Sequence, residues 1–201
     1  VSFGPEHLIA AGVTWADALA GGPFLHVDAA NRLHVAYVDD SNLPYYAFSQ
    51  DAGQSWTLRR VSTMGNSTLR PSVVTIPSGR VVYGCALPHF RCFISDNLGS
   101  TWQEASPPTS GYDRMDNCRL HAWGSTVFVS GQKVAPDPRG IWMNLCDGDT
   151  MNWQAWEVIW QGDGADSSLF VDSSGTIHSV WRQYPTEPRS IYRSSRVGGW
   201  T

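Results

Sequence analysis

The chain has 201 residues and a formal net charge of −4, and charged residues make up only 16% of it. Its basic residues are scattered along the sequence, which argues against a nucleic acid or an anionic membrane surface as a partner. No apolar run approaches the roughly 18 residues that a membrane-spanning helix needs. Ten Trp, seven Tyr and seven Phe favour a packed globular fold instead.

Four similar units follow one another along the chain. Each opens with two alternating apolar runs around a Gly, Asn or Ser turn, which is the pattern of a β-hairpin. A third run, a turn that ends in Trp and a fourth short run complete the unit. The turn tryptophans, separated by 46, 51 and 47 positions, are Trp56, Trp102, Trp153 and Trp200. Four short strands per repeat of this length describe a propeller blade, so the sequence predicts an all-β fold.

The repeat also predicts the domain organisation. We expect a single β-propeller domain over residues 1–201, with about four four-stranded blades at 23–70, 71–117, 118–166 and 167–201. The last unit stops before its fourth strand, and the spacing places the matching segment at residues 8–16 as a closing strand. Three arrangements are open: four blades that close alone, two chains that complete a larger ring, and part of a longer propeller.

Two of the Trp-bearing turns share a polar pattern. The segment Ser49–Trp56 reads SQDAGQSW, and Ser95–Trp102 reads SDNLGSTW. An Asp or Asn at the third position can accept hydrogen bonds from backbone amides of the turn, and Gly can supply a positive φ. We therefore predict structural rather than catalytic roles for Ser49, Asp51, Gly53, Trp56, Ser95, Asn97, Gly99 and Trp102.

These two segments resemble the Asp-box, or BNR repeat, of sialidase-like β-propellers, Ser-x-Asp-x-Gly-x-Thr-Trp. As the family is known, sialidases use three arginines for the substrate carboxylate, a Tyr activated by Glu as nucleophile, and an Asp as acid/base. The segment Leu69–Ser72, LRPS, resembles the family's Arg-x-Pro motif. The resemblance therefore implies that Arg70 binds a carboxylate.

The strand count places the loops between units and the loops between second and third strands on one face. Carboxylates, arginines and aromatic rings that converge from several units suit a sugar site, because rings stack on sugar C–H surfaces and polar groups bind hydroxyls or a carboxylate. The predicted ligand-binding residues are Trp15, Asp17, Asp39, Arg70, Arg91, Asp116, Asp166, Trp181 and Arg182. The candidates for catalysis are Tyr112, Asp113, Tyr184 and Glu187, and no spacing selects among them.

The four cysteines permit two disulfides or four buried thiols. Cys85 and Cys92 have a spacing suited to bridging a hairpin, and Cys118 with Cys146 would be the remaining pair. The six histidines lack a zinc-type grouping, and no Gly-rich phosphate loop occurs, so we expect no metal and no cofactor. We expect an extracellular location or a place on a cell or virion surface.

Three functions fit these features. The first is a glycan-recognising, lectin-like module, which the aromatic and polar loop face favours. The second is a carbohydrate-active enzyme, either a sialidase-like glycoside hydrolase or a polysaccharide lyase. The third is a scaffold that binds proteins. The expected partner is a carbohydrate, together with a second copy of the chain or the remainder of a larger propeller.

Overall fold

The structure, a computed structural model, describes residues 9, 24–63, 69–87, 89–108, 114–135, 139–183 and 191–196. The described residues form sixteen β-strands joined by turns and loops, and no helix is found among them. The all-β prediction is therefore confirmed. Accordingly, this part of the chain offers no helix that is long and apolar enough to cross a membrane.

The strands form four antiparallel sheets that follow one another in chain order. Sheet I consists of β1 (Phe24–Val27), β2 (Leu33–Val38), β3 (Pro44–Ser49) and β4 (Thr57–Arg60). Sheet II consists of β5 (Leu69–Thr75), β6 (Val81–Leu87), β7 (His89–Ser95) and β8 (Gln103–Glu104). Each of these sheets is a meander, because consecutive strands are neighbours in the sheet.

The other two sheets depart slightly from this pattern. Sheet III consists of β9 (Arg114–Trp123), β10 (Thr126–Ala135), β11 (Gly140–Asp147), β12 (Asn152–Trp153) and β13 (Glu157–Gln161). Its outer position is divided between β12 and β13, which both pair with β11. Sheet IV consists, within the described residues, of β14 (Gly164–Val171), β15 (Ile177–Gln183) and β16 (Ile191–Arg196).

The first strands of the four sheets lie side by side, in the order β1, β5, β9 and β14. A side chain joins each neighbouring pair by accepting a backbone N–H from the next strand. His26 Nε2 accepts from Thr75 at 3.2 Å, Ser72 Oγ from Leu120 at 3.0 Å, and His121 Nε2 from Leu169 at 3.1 Å. These three backbone N–H groups point toward another sheet and not toward a paired strand, so the side-chain atoms serve as their hydrogen-bond acceptors.

Apolar clusters fill the space between consecutive sheets. Between sheets I and II, Trp102 packs edge-on against Tyr46 and Tyr83, with ring centroids 5.4 and 6.0 Å apart. A second cluster joins sheets II and III, and a third joins sheets III and IV. These three clusters hold the four sheets to one another in chain order.

The turn at Ser49–Trp56 is held by its own polar side chains. Asp51 Oδ1 accepts the backbone N–H of Ser55 at 2.9 Å, and Ser49 Oγ accepts that of Gly53 at 2.8 Å. The hydrogen bonds from Ser55 lower the pKa of Asp51 to about 2. Gly53 has a φ of 89°, a conformation that L side chains rarely adopt. Trp56 closes the turn by donating its indole N–H to the Gly53 carbonyl at 3.0 Å.

The turn at Ser95–Trp102 repeats this arrangement with Asn in place of Asp. Asn97 Oδ1 accepts the N–H of Thr101 at 2.9 Å, and Ser95 Oγ accepts that of Gly99 at 2.8 Å. Gly99 has a φ of 82°. In both turns, therefore, the side-chain oxygens at the first and third positions accept the same backbone N–H groups.

The four cysteines are free and buried, which corrects the prediction that Cys85 and Cys92 bridge a hairpin. Cys85 packs in the cluster between sheets I and II, whereas Cys92 packs between sheets II and III. Their side chains lie on opposite faces of one sheet, so they cannot meet. Cys118 and Cys146 share the second cluster without a bond. Burial raises the pKa of both Cys85 and Cys146 to about 12.

The predicted closing strand at residues 8–16 lies outside the described residues except for Ile9. Ile9 packs on sheet I beside Val35, Tyr37 and Ala47. The blade boundaries drawn from the repeat stay a prediction.

Candidate functional site

A cavity of about 330 Å³ lies among the first strands of the four sheets. Each sheet contributes at least one residue to its lining, which consists of Phe24, Arg70, Arg119, His121, Asp166, Ser167 and Ser168. Most of these residues lie near the beginning of their strands. The cavity therefore lies toward the end at which the chain enters these strands, and the sequence analysis predicted a site on this face.

Two β-bulges position the charged residues at this cavity. In sheet II, Leu69 pairs with Ala86 and Ser72 with Gly84, so Arg70 and Pro71 together face a single residue of β6. Pro71 has no N–H to donate, and a bulge tolerates that absence. Arg70 itself has a φ of 54°, in the left-handed region.

Sheet IV contains the matching bulge. Ala165 pairs with Arg182 and Ser168 with Val180, so Asp166 and Ser167 form the bulge. Asp166 also has a φ of 54°. A left-handed conformation in a non-glycine residue costs of order 1–3 kcal/mol, and outside turns such residues cluster at ligand-binding and active sites. The two bulges thus turn a pair of opposite charges toward one cavity.

Asp166 is the centre of an ion-pair cluster. Its Oδ1 accepts a hydrogen bond from Nη1 of Arg70, which belongs to sheet II. Its Oδ2 lies 2.6 Å from Nη2 of Arg182, which belongs to sheet IV like Asp166 itself. The three side chains are each partly exposed, so a ligand can reach them. The structure therefore brings together three residues that the sequence analysis named separately, Arg70, Asp166 and Arg182.

Arg119 adds a further positive charge to the same cavity. Burial lowers the pKa of Arg119, and the neighbouring charge of Arg70 lowers it further, whereas Asp166 opposes the change. The guanidinium carbon lies 5.6 Å from the centre of the Phe24 ring, which is cation–π geometry. The cavity thus combines two arginines, one carboxylate and an aromatic wall, and Arg182 contacts the carboxylate from beside the lining.

His121 lies two positions after Arg119, on the same face of β9. Burial and the charge of Arg119 lower the pKa of His121 to about 4. Because its Nε2 accepts the Leu169 N–H, the hydrogen-bond network assigns the proton of the neutral ring to Nδ1. His121 is therefore uncharged at neutral pH.

Several predicted ligand-binding residues lie elsewhere. Asp39 caps its own turn by accepting the N–H of Leu43 at 2.8 Å, and Arg91 lies 3.8 Å from Glu104 in sheet II. Asp116 lies in β9 and does not appear in the cavity lining that the structure describes. Trp181 is only 5% exposed and packs between sheets III and IV, which corrects the prediction of an exposed stacking surface.

Six named candidates lie outside the described residues, and the structure does not place them. They are the predicted ligand-binding residues Trp15 and Asp17 and the catalytic candidates Tyr112, Asp113, Tyr184 and Glu187.

The sequence analysis did not select Phe24, Arg119 or His121 as site residues. All three lie in runs that were interpreted as strands. The sequence does contain one indication of Arg119 and His121. The two residues are two positions apart in a strand, so two titratable side chains lie on the same face. Ser167 and Ser168 carry no such signal.

A second cavity of about 390 Å³ lies beside the hairpin turns of the first strands. Its polar side chains already bind one another: Asp28 Oδ2 lies 2.6 Å from Arg32 Nε and 3.1 Å from His34 Nε2. His34 in turn accepts the hydroxyl of Tyr46 at 2.7 Å. These contacts hold the hairpin together, and Asp172 with His178 repeats the pairing in sheet IV at 2.8 Å. Among the described residues, no group of three His, Cys, Asp or Glu is placed to hold a metal ion.

The comparisons with known proteins identify the fold. No protein-family model matches the sequence, and no curated protein sequence matches it. Solved structures do match: a protein of unknown function from Dyadobacter fermentans has a TM-score of 0.67 at 16% identity, over 85% of this chain and 51% of its own. A Hadza microbial sialidase has a TM-score of 0.65 at 15% identity, over 89% of this chain and 45% of its own.

An ulvan lyase, solved with a bound GlcA(1-4)Rha3S unit, has a TM-score of 0.63 at 12% identity, over 90% of this chain and 57% of its own. At these identities the likeness shows the fold alone, and that fold is of the β-propeller kind. The chain spans about half the length of these three solved structures.

Proposed function

We propose that this chain is a glycan-recognising, lectin-like β-propeller module that binds a sugar carrying a carboxylate. The observation that carries the proposal is the excess of positive charge at the cavity. In the cavity lining that the structure describes, Arg70 and Arg119 bring two positive charges against the one carboxylate of Asp166, and Arg119 lies on the Phe24 ring. A ligand carboxylate complements the charge of the two arginines, and guanidinium groups bind it with directional hydrogen bonds.

The cavity also suits the apolar surface of a sugar. Phe24 forms one wall, and Ser167 and Ser168 lie on another. An aromatic wall packs against C–H groups while serine hydroxyls and backbone groups bind ring hydroxyls. The volume of about 330 Å³ is at the lower end of the usual range for small-ligand sites, about 300–1,000 Å³, and fits one or two sugar units better than a long segment.

The solved structures of similar fold support a carbohydrate ligand. One is a sialidase, and another is a lyase that holds a glucuronic acid unit, which carries a carboxylate. We also assign the turns at Ser49–Trp56 and Ser95–Trp102 to the Asp-box class, because the two share one hydrogen-bond pattern. A location outside the cell or on its surface belongs to the same proposal.

Substitution of Arg119 tests the proposal. Binding of the Arg119→Gln variant to a panel of acidic and neutral oligosaccharides is compared with that of wild type by calorimetry. Loss of a charged hydrogen bond costs about 1.5–3 kcal/mol, so we expect binding of acidic sugars to weaken by about 10- to 100-fold. The matched control is Arg59→Gln, because Arg59 is exposed on β4 away from the cavity.

We expect the control to bind as wild type does. Unchanged affinity of Arg119→Gln for every acidic sugar that wild type binds would contradict the proposed site. Equal binding of neutral and acidic sugars would contradict the proposed ligand class.

A carbohydrate-active enzyme is the second candidate, favoured by the strained backbone of Arg70 and Asp166 at the cavity. Mass spectrometry of oligosaccharides after incubation with the protein distinguishes it from a lectin. Shortened or unsaturated products that disappear with Asp166→Asn would make the chain an enzyme. Bound but intact oligosaccharides support the lectin-like module.

A further inference from the structure

Ser167 has a buried hydroxyl at the wall of the arginine cavity. The residue is 3% exposed and belongs to the cavity lining. Its Oγ has no hydrogen-bond partner among the described residues. An unpaired buried hydroxyl is unfavourable, and folded proteins retain few of them. A ligand that enters the cavity can provide the partner, which makes Ser167 a candidate for a ligand-binding residue.

The junction between sheets III and IV brings Ser167 close to Arg119. His121 Nε2 accepts the backbone N–H of Leu169 at 3.1 Å, so these two residues lie opposite each other on β9 and β14. Arg119 is two positions before His121, and Ser167 is two positions before Leu169. The side chains of Arg119 and Ser167 therefore lie at the same level of the junction, where both line the cavity.

Arg119 has hydrogen-bond donors that the described part of the chain does not use. Within that part, its guanidinium group contacts the Phe24 ring and forms no hydrogen bond or ion pair. The two oxygens of Asp166 contact Arg70 and Arg182 instead. Arg119 is therefore well placed to bind a ligand carboxylate.

A sugar that enters this cavity also needs hydrogen-bond acceptors for its hydroxyl groups. Guanidinium groups only donate, and His121 offers only its Nδ1–H because its Nε2 accepts the Leu169 N–H. Among the lining side chains that the structure describes, the accepting oxygens outside the Asp166 ion-pair cluster are the hydroxyls of Ser167 and Ser168. Ser168 is exposed, so Ser167 is the buried acceptor.

We propose that Ser167 selects a uronic acid, a sugar in which the ring carbon next to the carboxyl-bearing carbon carries a hydroxyl group. The carboxylate binds Arg119, and the neighbouring hydroxyl donates to Ser167 Oγ. The two ligand groups are adjacent in such a sugar, as Arg119 and Ser167 are in the cavity. This inference rests on the proposed function and adds the class of acidic sugar and the residue that recognises it.

Two probes test the inference: the methyl glycoside of glucuronic acid and the analogue that lacks only the hydroxyl next to the carboxyl-bearing carbon. Calorimetry measures the affinity of wild type and of Ser167→Ala for both probes. Loss of one neutral hydrogen bond weakens binding by about 3- to 10-fold. We expect wild type to bind the glucuronic acid probe more tightly than the deoxy analogue by that factor. The Ser167→Ala variant should bind the two probes equally.

The matched control is Ser179→Ala. Ser179 is fully buried in β15 of the same sheet, its Oγ also has no partner among the described residues, and it lies outside the cavity lining. We expect this control to keep the wild-type ratio of the two affinities. Urea unfolding should show that Ser167→Ala is at least as stable as wild type, because the deleted hydroxyl has no partner among the described residues.

The outcomes that would overturn the inference are distinct from failure of the proposed function. Equal affinity of wild type for both probes would overturn it. A Ser167→Ala variant that weakens both probes equally would indicate that Ser167 binds the carboxylate, and a variant clearly less stable than wild type would indicate a partner within the chain. Binding of other acidic sugars without binding of the glucuronic acid probe would refute the inference and leave the proposed function standing. Binding of no acidic sugar at all would refute both.

Discussion

Asp166 organises the cavity because each of its carboxylate oxygens contacts a different arginine. Arg70 comes from sheet II and Arg182 from sheet IV, so one side chain connects two sheets that are not neighbours. Such a pair of contacts orients both guanidinium groups before a ligand arrives, which reduces the entropy lost on binding. Under the proposed function, Arg70 then offers its other N–H groups to a ligand carboxylate.

Asp51 illustrates a residue whose role is structural. Replacing Asp51 with Ala removes the acceptor for the Ser55 N–H and hydroxyl, at 2.9 and 2.5 Å, and should lower the midpoint of urea unfolding. The variant Asp51→Asn should lose less, because Asn97 accepts the matching N–H of Thr101 in the second turn. Sugar affinity of the folded variants should not change. An equal loss of stability in both variants would contradict this account.

Stability should fall as the pH falls below neutrality. The pKa of His121 is lowered from 6.5 to about 4, so the unfolded chain takes up a proton at a pH where the folded chain does not. The stabilisation is therefore fully present above pH 6.5 and is lost as the pH falls toward 4, by on the order of 3 kcal/mol for this residue. Burial lowers the pKa of His26 and His34 as well, which adds to the effect.

Urea unfolding above pH 6.5 and near pH 4 measures this dependence. The control is His121→Gln, since a glutamine amide does not titrate and its oxygen can accept the Leu169 N–H. The variant should show a weaker dependence on pH than wild type. The same dependence in both proteins would exclude His121 as the cause.

The strands and turns are the elements that the sequence predicts well. The alternation of apolar residues and the turn residues locate the hairpins. In the two polar turns, the Asp or Asn side chain accepts the backbone N–H that its residue type predicts. The bulges at Arg70 and Asp166 are harder to predict, because a positive φ in Arg or Asp has no local sequence signal. Trp181 shows the same limit: alternation places it on one face, but only the packing of sheet III decides that this face is buried.

The two turn glycines should respond differently to substitution. A Cβ on Gly99 would lie 2.7 Å from Tyr46 Cδ1 in the neighbouring sheet, whereas one on Gly53 would lie no closer than 3.4 Å to Leu33 Cδ1. Both variants strain a positive φ, but only Gly99→Ala also overpacks a junction between sheets. We expect Gly99→Ala to be less stable than Gly53→Ala by about 1–3 kcal/mol. Equal free energies of unfolding for the two variants would contradict this packing.

At the scale of the whole molecule, the repeat explains why the site lies where it does. Each sheet brings its first strand to a common region, so residues as far apart as Arg70 and Asp166 meet there. The sequence named Arg70, Asp166 and Arg182 among its candidates, but it did not separate them from candidates that lie elsewhere, and it missed the other cavity residues. Which side chains meet depends on the bulges and on the distance between sheets, and both are properties of the assembled fold.

The central claim is that the arginine cavity recognises a carboxylated sugar. The most direct measurement compares the affinity of the wild-type protein for an acidic oligosaccharide with its affinity for the same oligosaccharide after reduction of the carboxyl group to an alcohol. We predict that the acidic form binds at least about tenfold more tightly, a difference of about 1.4 kcal/mol. Equal affinities, or tighter binding of the reduced form, would contradict the claim.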